Sequence, residues 1–246
     1  MALLKTENIS VQFDDNQILD NVSLTLNKGE LVSILGISGS GKTTLFNVIS
    51  GLLIPDKGSV FLDDTEITGQ SGHMSYMLQK DLLLPYKTIL DNVALPMIIK
   101  GMSRKEARMC AASHFQDFGL DGTQSKYPHQ LSGGMRQRAA LLRTYMFSDR
   151  IALLDEPFSA LDTLTKSNMH KWYMNIMKQI NLSTLFITHD IDEAILLSDR
   201  IYILSNSPAT ITKEIVINPS DVRNEDLLLS ENFLHYKRTI INAIGE

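Results

Sequence analysis

Gly36-Ile37-Ser38-Gly39-Ser40-Gly41-Lys42-Thr43 constrains the fold of this chain more than any other stretch, because of what flanks it. The apolar run Leu31 to Leu35 precedes it and the helical run Thr44 to Ile49 follows, so GxxxxGKT falls at a strand-to-helix turn. The glycines let successive backbone N–H groups point at one anion, and the helix N-terminus adds a favourable dipole. Lys42 is placed to neutralise β and γ phosphates and Thr43 to offer a hydroxyl to Mg²⁺. A glycine-rich turn that only connects two elements would not need the full spacing.

The rest of the chain supports an α/β domain with a largely parallel sheet, since short apolar segments alternate with longer stretches of helical period. Leu31 to Leu35, Ile151 to Leu154, Thr184 to Ile187 and Arg200 to Leu204 read as buried strands. Val22, Leu24 and Leu26 instead alternate with polar neighbours, as do residues around Val60 to Leu62, which predicts a half-exposed antiparallel layer near the N-terminus. Helix signals take over between Asp81 and Phe147. There Ser103 and Glu106 form a capping-box pattern, and the helix they open is predicted to run to about Phe118, with Gly119 as its stop. The tail beyond Asn206 predicts a hairpin around Ile211 to Ile217 and a helix from about Glu225.

The lone cysteine, Cys110, permits no intramolecular disulfide, and no secretory or membrane-spanning run is legible, so an intracellular setting is expected. A net charge of -5 argues against a broad nucleic-acid surface, and no nucleic-acid partner is expected.

Arg150 to Glu156 reads as a buried strand that ends in two carboxylates. At the C-terminal edge of a strand in an open α/β sheet such groups face the ligand crevice. Asp155 is suited to hold Mg²⁺, directly or through water, and Glu156 to orient and deprotonate an attacking water. Between the two motifs lies Leu131-Ser132-Gly133-Gly134-Met135-Arg136-Gln137-Arg138, in which a Ser-Gly-Gly turn opens a helix and offers a second set of exposed N–H groups.

With these motifs together the sequence resembles the ATP-binding cassette family over almost its whole length, and in that family LSGG completes the site of the opposite subunit. The resemblance implies a P-loop NTPase fold: a RecA-like core over about 1–80 and 148–205, an N-terminal antiparallel layer, an inserted helical subdomain over about 81–147 and a tail over about 206–246. It implies an ATPase with ATP and Mg²⁺ as cofactors. Gly36, Ser38, Gly39, Ser40, Gly41, Lys42, Thr43 and Thr44 would bind ATP, with Phe13 stacked on adenine. Gln79 would sense Mg²⁺ and the water, His189 would contact the γ phosphate, and Ser159 to Asp162 would form the loop that crosses a dimer interface. Ser132, Gly133 and Gly134 would act in trans. Ile37 and Met135 depart from residues common in the family, at positions with no catalytic assignment. His73, His114, His129, His170 and His235 show no metal-ligand spacing, and Met169, Met174 and Met177 follow helix-packing spacing.

The implied partners are a second copy in a head-to-tail dimer, integral membrane permease subunits and an extracytoplasmic solute-binding protein, at the cytoplasmic face of the membrane. Asp155 to Asp162 with Leu131 to Arg138 look most like importer cassettes of the nitrate, sulfonate, taurine and aminopyrimidine type; an exporter cassette and a non-transport cassette ATPase are the alternatives. The apolar segment Lys80 to Tyr86 has two readings, a permease contact through Leu83 or Tyr86 and ordinary helix packing.

Overall fold

A computed structural model describes residues 2–206, 208–218 and 225–244. In chain order its strands are β1 (Ala2–Phe13), β2 (Asn16–Asn27), β3 (Leu31–Leu35), β4 (Lys57–Leu62), β5 (Thr65–Glu66), β6 (Ser75–Met77), β7 (Ile151–Asp155), β8 (Ser183–Thr188), β9 (Arg200–Leu204) and β10 (Ile211–Val216). The helices are α1 (Lys42–Ile49), α2 (Ile89–Ile99), α3 (Arg104–Ser113), α4 (Gly133–Phe147), α5 (Thr163–Ile180), α6 (Ile191–Leu197), α7 (Glu225–Leu228) and α8 (Glu231–Ile244). They fall into two compact units, Met1–His73 with Leu182–Glu246, and Met74–Asn181.

The first unit holds the predicted antiparallel layer, with strand order β2-β1-β4-β5. Alternation has its expected consequence there: Val22, Leu24 and Leu26 on β2 are buried while Ser23 between them is exposed. In the same unit β3 lies between β8 and β9, parallel to both, and β10 runs antiparallel along β9. Every residue of β3 and β8 is buried, including Ser33, Ser183, Thr184 and Thr188, which is why these strands show no apolar–polar alternation. The hairpin expected around Ile211 forms between β9 and β10. The expected helix from Glu225 divides at Ser230, whose Oγ accepts from Phe233 N at 3.1 Å and starts α8 afresh. Leu35, Ala194, Ile201, Ile203, Phe233 and Ile240 belong to one buried cluster, so α8 shares a core with the strand that feeds the glycine loop.

The second unit pairs β6 with β7 in parallel and also holds α2 to α5. Ser103 caps α3, with Oγ accepting from Glu106 N at 3.3 Å and donating to Glu106 Oε2 at 2.6 Å. The helix stops at Ser113 instead of Phe118. Phe115 and Phe118 both have to enter the core, where Phe118 meets Trp172 at 5.8 Å, and the turns closed by Phe118 N to His114 O and Gly119 N to Gln116 O aim them there. Gly119 has φ +63, and a Cβ there would meet Arg138 Nη1 at 2.5 Å. Among the described residues no helix is long and apolar enough to cross a membrane.

Candidate active site

In the first unit β3 and β8 set two groups side by side. Leu35 is the register partner of Thr188, so the next residues, Gly36 and His189, leave neighbouring parallel strands at the same end. Gly39 and Gly41 take φ +82 and +89, which favours glycine, and a Cβ on Gly36 would meet Ser40 Oγ at 2.8 Å. Lys42 is buried, and its Nζ donates to Gly36 O at 2.8 Å and Ile37 O at 2.7 Å. Those bonds hold the ammonium over the loop it serves. Ser38, Gly39 and Thr43 are exposed, and Gly41 gives α1 no side-chain cap, so its first N–H groups are not satisfied by a capping side chain. Phe13 ends β1 and is 47% exposed, which leaves it open to a stacking partner.

His189 is exposed, and a polar knot fixes the chain on either side of it. Thr188 Oγ1 donates to the buried Glu193 and accepts from Asp190 N, while Asp190 Oδ1 accepts from Asp192 N and Glu193 N to cap α6. Lys237 on α8 donates to Asp192.

In the second unit Met77 pairs with Leu154, so Leu78 and Gln79 run on beside Asp155 and Glu156. Gln79 Nε2 donates to Glu156 Oε2 at 3.2 Å and to Ser159 Oγ at 3.4 Å. Asp155 is buried, and its charge, after burial itself, pushes the Tyr76 phenol above its ordinary range. Glu156 has φ +46, outside the usual range for a residue with a side chain, and its carbonyl accepts from Ser159 Oγ at 2.9 Å. Ser132 caps α4, with Oγ accepting from Met135 N at 3.3 Å. Gly134 is packed so closely that a Cβ would meet Thr165 Cγ2 at 3.2 Å. Asp162 caps α5; the hydrogen bonds from the Thr165 hydroxyl and N–H hold its carboxyl below the usual range.

Three contacts were missed in the sequence. Gln137 Nε2 donates to Pro157 O at 2.5 Å. Arg143 donates to Asp81 O and Leu82 O at 2.6 and 2.8 Å, which ties the segment after Gln79 to α4. Arg136, two turns earlier on the same face, reaches Asp81 Oδ2 at 3.2 Å; the spacing of 136 and 143 was the only available hint. Within Lys80 to Tyr86, Leu83 packs inward, whereas Leu82 and Tyr86 are 51% and 73% exposed. Among the described residues no three His, Cys, Asp or Glu side chains gather as a metal site. His170 packs edge-on against Phe158, and His114 against Tyr145.

Residues 19–159 match the family model described as ABC transporter. The formylaminopyrimidine import ATP-binding protein ThiZ of Halalkalibacterium halodurans is 46% identical over 224 residues, which cover 91% of this chain and 87% of that protein. The nitrate import ATP-binding protein NrtD of Synechocystis is 40% identical over 205 residues, covering 82% and 77%. A dimeric post-hydrolysis structure of the bacterial cassette MJ0796 bound to ADP and Pi superposes with a TM-score of 0.72 at 29% identity, over 87% of this chain and 99% of that one.

This chain belongs to the ABC transporter family. It is an ATP-binding, ATP-hydrolysing transporter subunit of the small-solute importer type, with the cassette fold of an antiparallel N-terminal sheet and a mixed, mostly parallel sheet flanked by helices.

Proposed function

We propose that two copies of this chain close head to tail around two ATP molecules, each held by Lys42 and the Gly36 to Thr44 loop of one copy and by Ser132, Gly133 and Gly134 of the other. Phe13 stacks on adenine, and Asp162 crosses the interface between copies. Glu156 orients and deprotonates the water that attacks the γ phosphate, and His189 contacts that phosphate. The observation that carries this reading is the Gln79–Glu156 contact at 3.2 Å, because it aims an amide and a carboxylate from adjacent strand ends at one place.

Thr43, Asp155 and Gln79 offer a hydroxyl, a buried carboxylate and an amide, hard oxygen donors of the kind Mg²⁺ takes alongside substrate phosphates. Bound there, Mg²⁺ would neutralise charge on the phosphates.

ATP favours the closed pair because both copies bind its γ phosphate, and cleavage removes that differential affinity, so the pair opens. Opening and closing drive separate integral membrane subunits from the cytoplasmic face, with the helical block 81–147 as the part that meets them and a solute-binding protein delivering cargo from the far side. Within Lys80 to Tyr86, Tyr86 and Leu82 are the exposed apolar groups suited to the permease contact. The names of ThiZ and NrtD favour a small nitrogen-containing solute as cargo.

Glu156→Gln keeps shape and removes the basic charge, so it should retain ATP and lose turnover by at least about a hundredfold. A variant that hydrolyses ATP at a near-normal rate would overturn the assignment of Glu156.

A further inference from the structure

Gln137 has a place that packing alone does not explain. It lies one turn inside α4 from Ser132, Gly133 and Gly134, and its side chain is 5% exposed. The amide makes a single described hydrogen bond through Nε2, to Pro157 O at 2.5 Å. Its Oε1 is buried and accepts nothing among the described residues; it lines a small, largely apolar cavity with Met77, Leu141, Leu154, Phe158 and Trp172. An orphaned buried acceptor is costly, and an apolar side chain of the same shape would avoid that cost. The amide therefore earns its position through the one bond it donates.

That bond ends beside the reacting carboxylate. Pro157 follows Glu156, whose left-handed φ of +46 persists only if its surroundings over-determine it. One side of the turn is held by Ser159, which donates to Glu156 O through both Oγ, at 2.9 Å, and N, at 3.2 Å. Gln137 holds the other side.

We infer that Gln137 is a positioning residue that ties the signature end of α4 to the carbonyl of Pro157, the residue that follows Glu156. The inference rests on the roles proposed above for Glu156 and for Ser132 to Gly134. In the closed pair, α4 of one copy touches the nucleotide of the other copy, whereas Glu156 acts on its own copy's nucleotide. A shift of α4 toward the first nucleotide pulls on the Pro157 carbonyl and resets the carboxylate that serves the second. Gln137 thus links the two hydrolysis sites within one chain.

The test compares the full-length wild type with Gln137→Met, which keeps volume and removes both the donor and the orphaned oxygen. Turnover at saturating ATP, the dissociation constant of ATP and the melting temperature are measured together. The expected result is a loss of turnover of about ten- to hundredfold, as for a displaced catalytic group, with ATP affinity within about twofold and melting unchanged or raised. Wild-type turnover in Q137M, or a melting temperature lowered by more than about 4 °C, would overturn the inference. E156Q measured alongside separates the two readings. If E156Q still turns over, the site assignment fails; if E156Q is inactive and Q137M is normal, the link alone fails.

Discussion

Replacing Glu30 by Gln should weaken the fold without touching catalysis, and the structure supplies the magnitude. Glu30 stands just before β3, at the end of that strand opposite the glycine loop. Its Oε1 accepts from Arg200 Nε at 2.5 Å, and its Oε2 accepts from Arg200 Nη2 at 2.9 Å and from Asn27 N at 2.7 Å. Both side chains are largely buried, at 13% and 12% exposure, so solvent screens the pair only in part. A glutamine can offer one oxygen to this fork, and its NH₂ would face the guanidinium. Arg200 keeps Glu214 at 2.8 Å, so the net loss is about one charge-assisted bond with its uncompensated donor, about 2 kcal/mol. For a chain of this length that lowers melting by about 4–8 °C. Burial raises the Glu30 carboxyl, but the Arg200 bonds and the Asn27 N–H outweigh it and hold the group below its ordinary value. The stabilisation is therefore complete above the unfolded carboxyl value near about 4.3 and is lost as pH falls through the lower folded value. Urea unfolding of both proteins from pH 7 to 3.5 should show a gap that narrows only below about pH 4, with equal ATPase rates at 25 °C. A gap under about 0.5 kcal/mol at neutral pH, or one undiminished at the acid end, would refute the reasoning.

Gly134→Ala would put a methyl 3.2 Å from Thr165 Cγ2 and 3.6 Å from Met169 Sδ, shifting the start of α4 by a few tenths of an ångström. ATP-induced pairing, followed by size exclusion in an E156Q background, should weaken by about tenfold, while nucleotide binding to the single chain stays unchanged. Ser103→Ala removes the cap of α3 and should cost about 1 kcal/mol in urea unfolding, with wild-type ATPase activity. Replacing Leu82 and Tyr86 together by Ser should leave melting within about 2 °C of wild type, because both are exposed, and should abolish co-purification with the membrane subunits; retained assembly would remove them from that contact.

The strands were the most legible part of the sequence. Leu31 to Leu35 and Arg200 to Leu204 were read with the bounds the structure gives, because strands covered on both faces are dominated by apolar residues, and the buried Ser33 on β3 is paired with Ser198. Within each unit the register of parallel strands explains which strand-end residues are neighbours, Gly36 with His189 in the first and Gln79 with Glu156 in the second. Helix ends were less so. Periodicity from Ser103 to Phe118 is consistent with one helix, but two phenylalanines could reach the core only by breaking it. Least legible were bonds from side chain to distant backbone, such as Gln137 to Pro157 and Arg143 to Leu82, because an acceptor carbonyl has no residue type to betray it. The left-handed turn at Glu156 was hidden for the same reason: nothing in a glutamate announces a positive φ.

The buried cluster that unites Leu35 with Phe233, Ile240 and Ala243 sets an order of events during synthesis. Leu35 leads directly into the phosphate loop, yet the apolar floor beneath it is finished by the last helix described. While that helix is still inside the ribosome, the strand lacks part of its support. A nascent chain therefore gains the full apolar packing beneath Leu35 only after that helix has emerged.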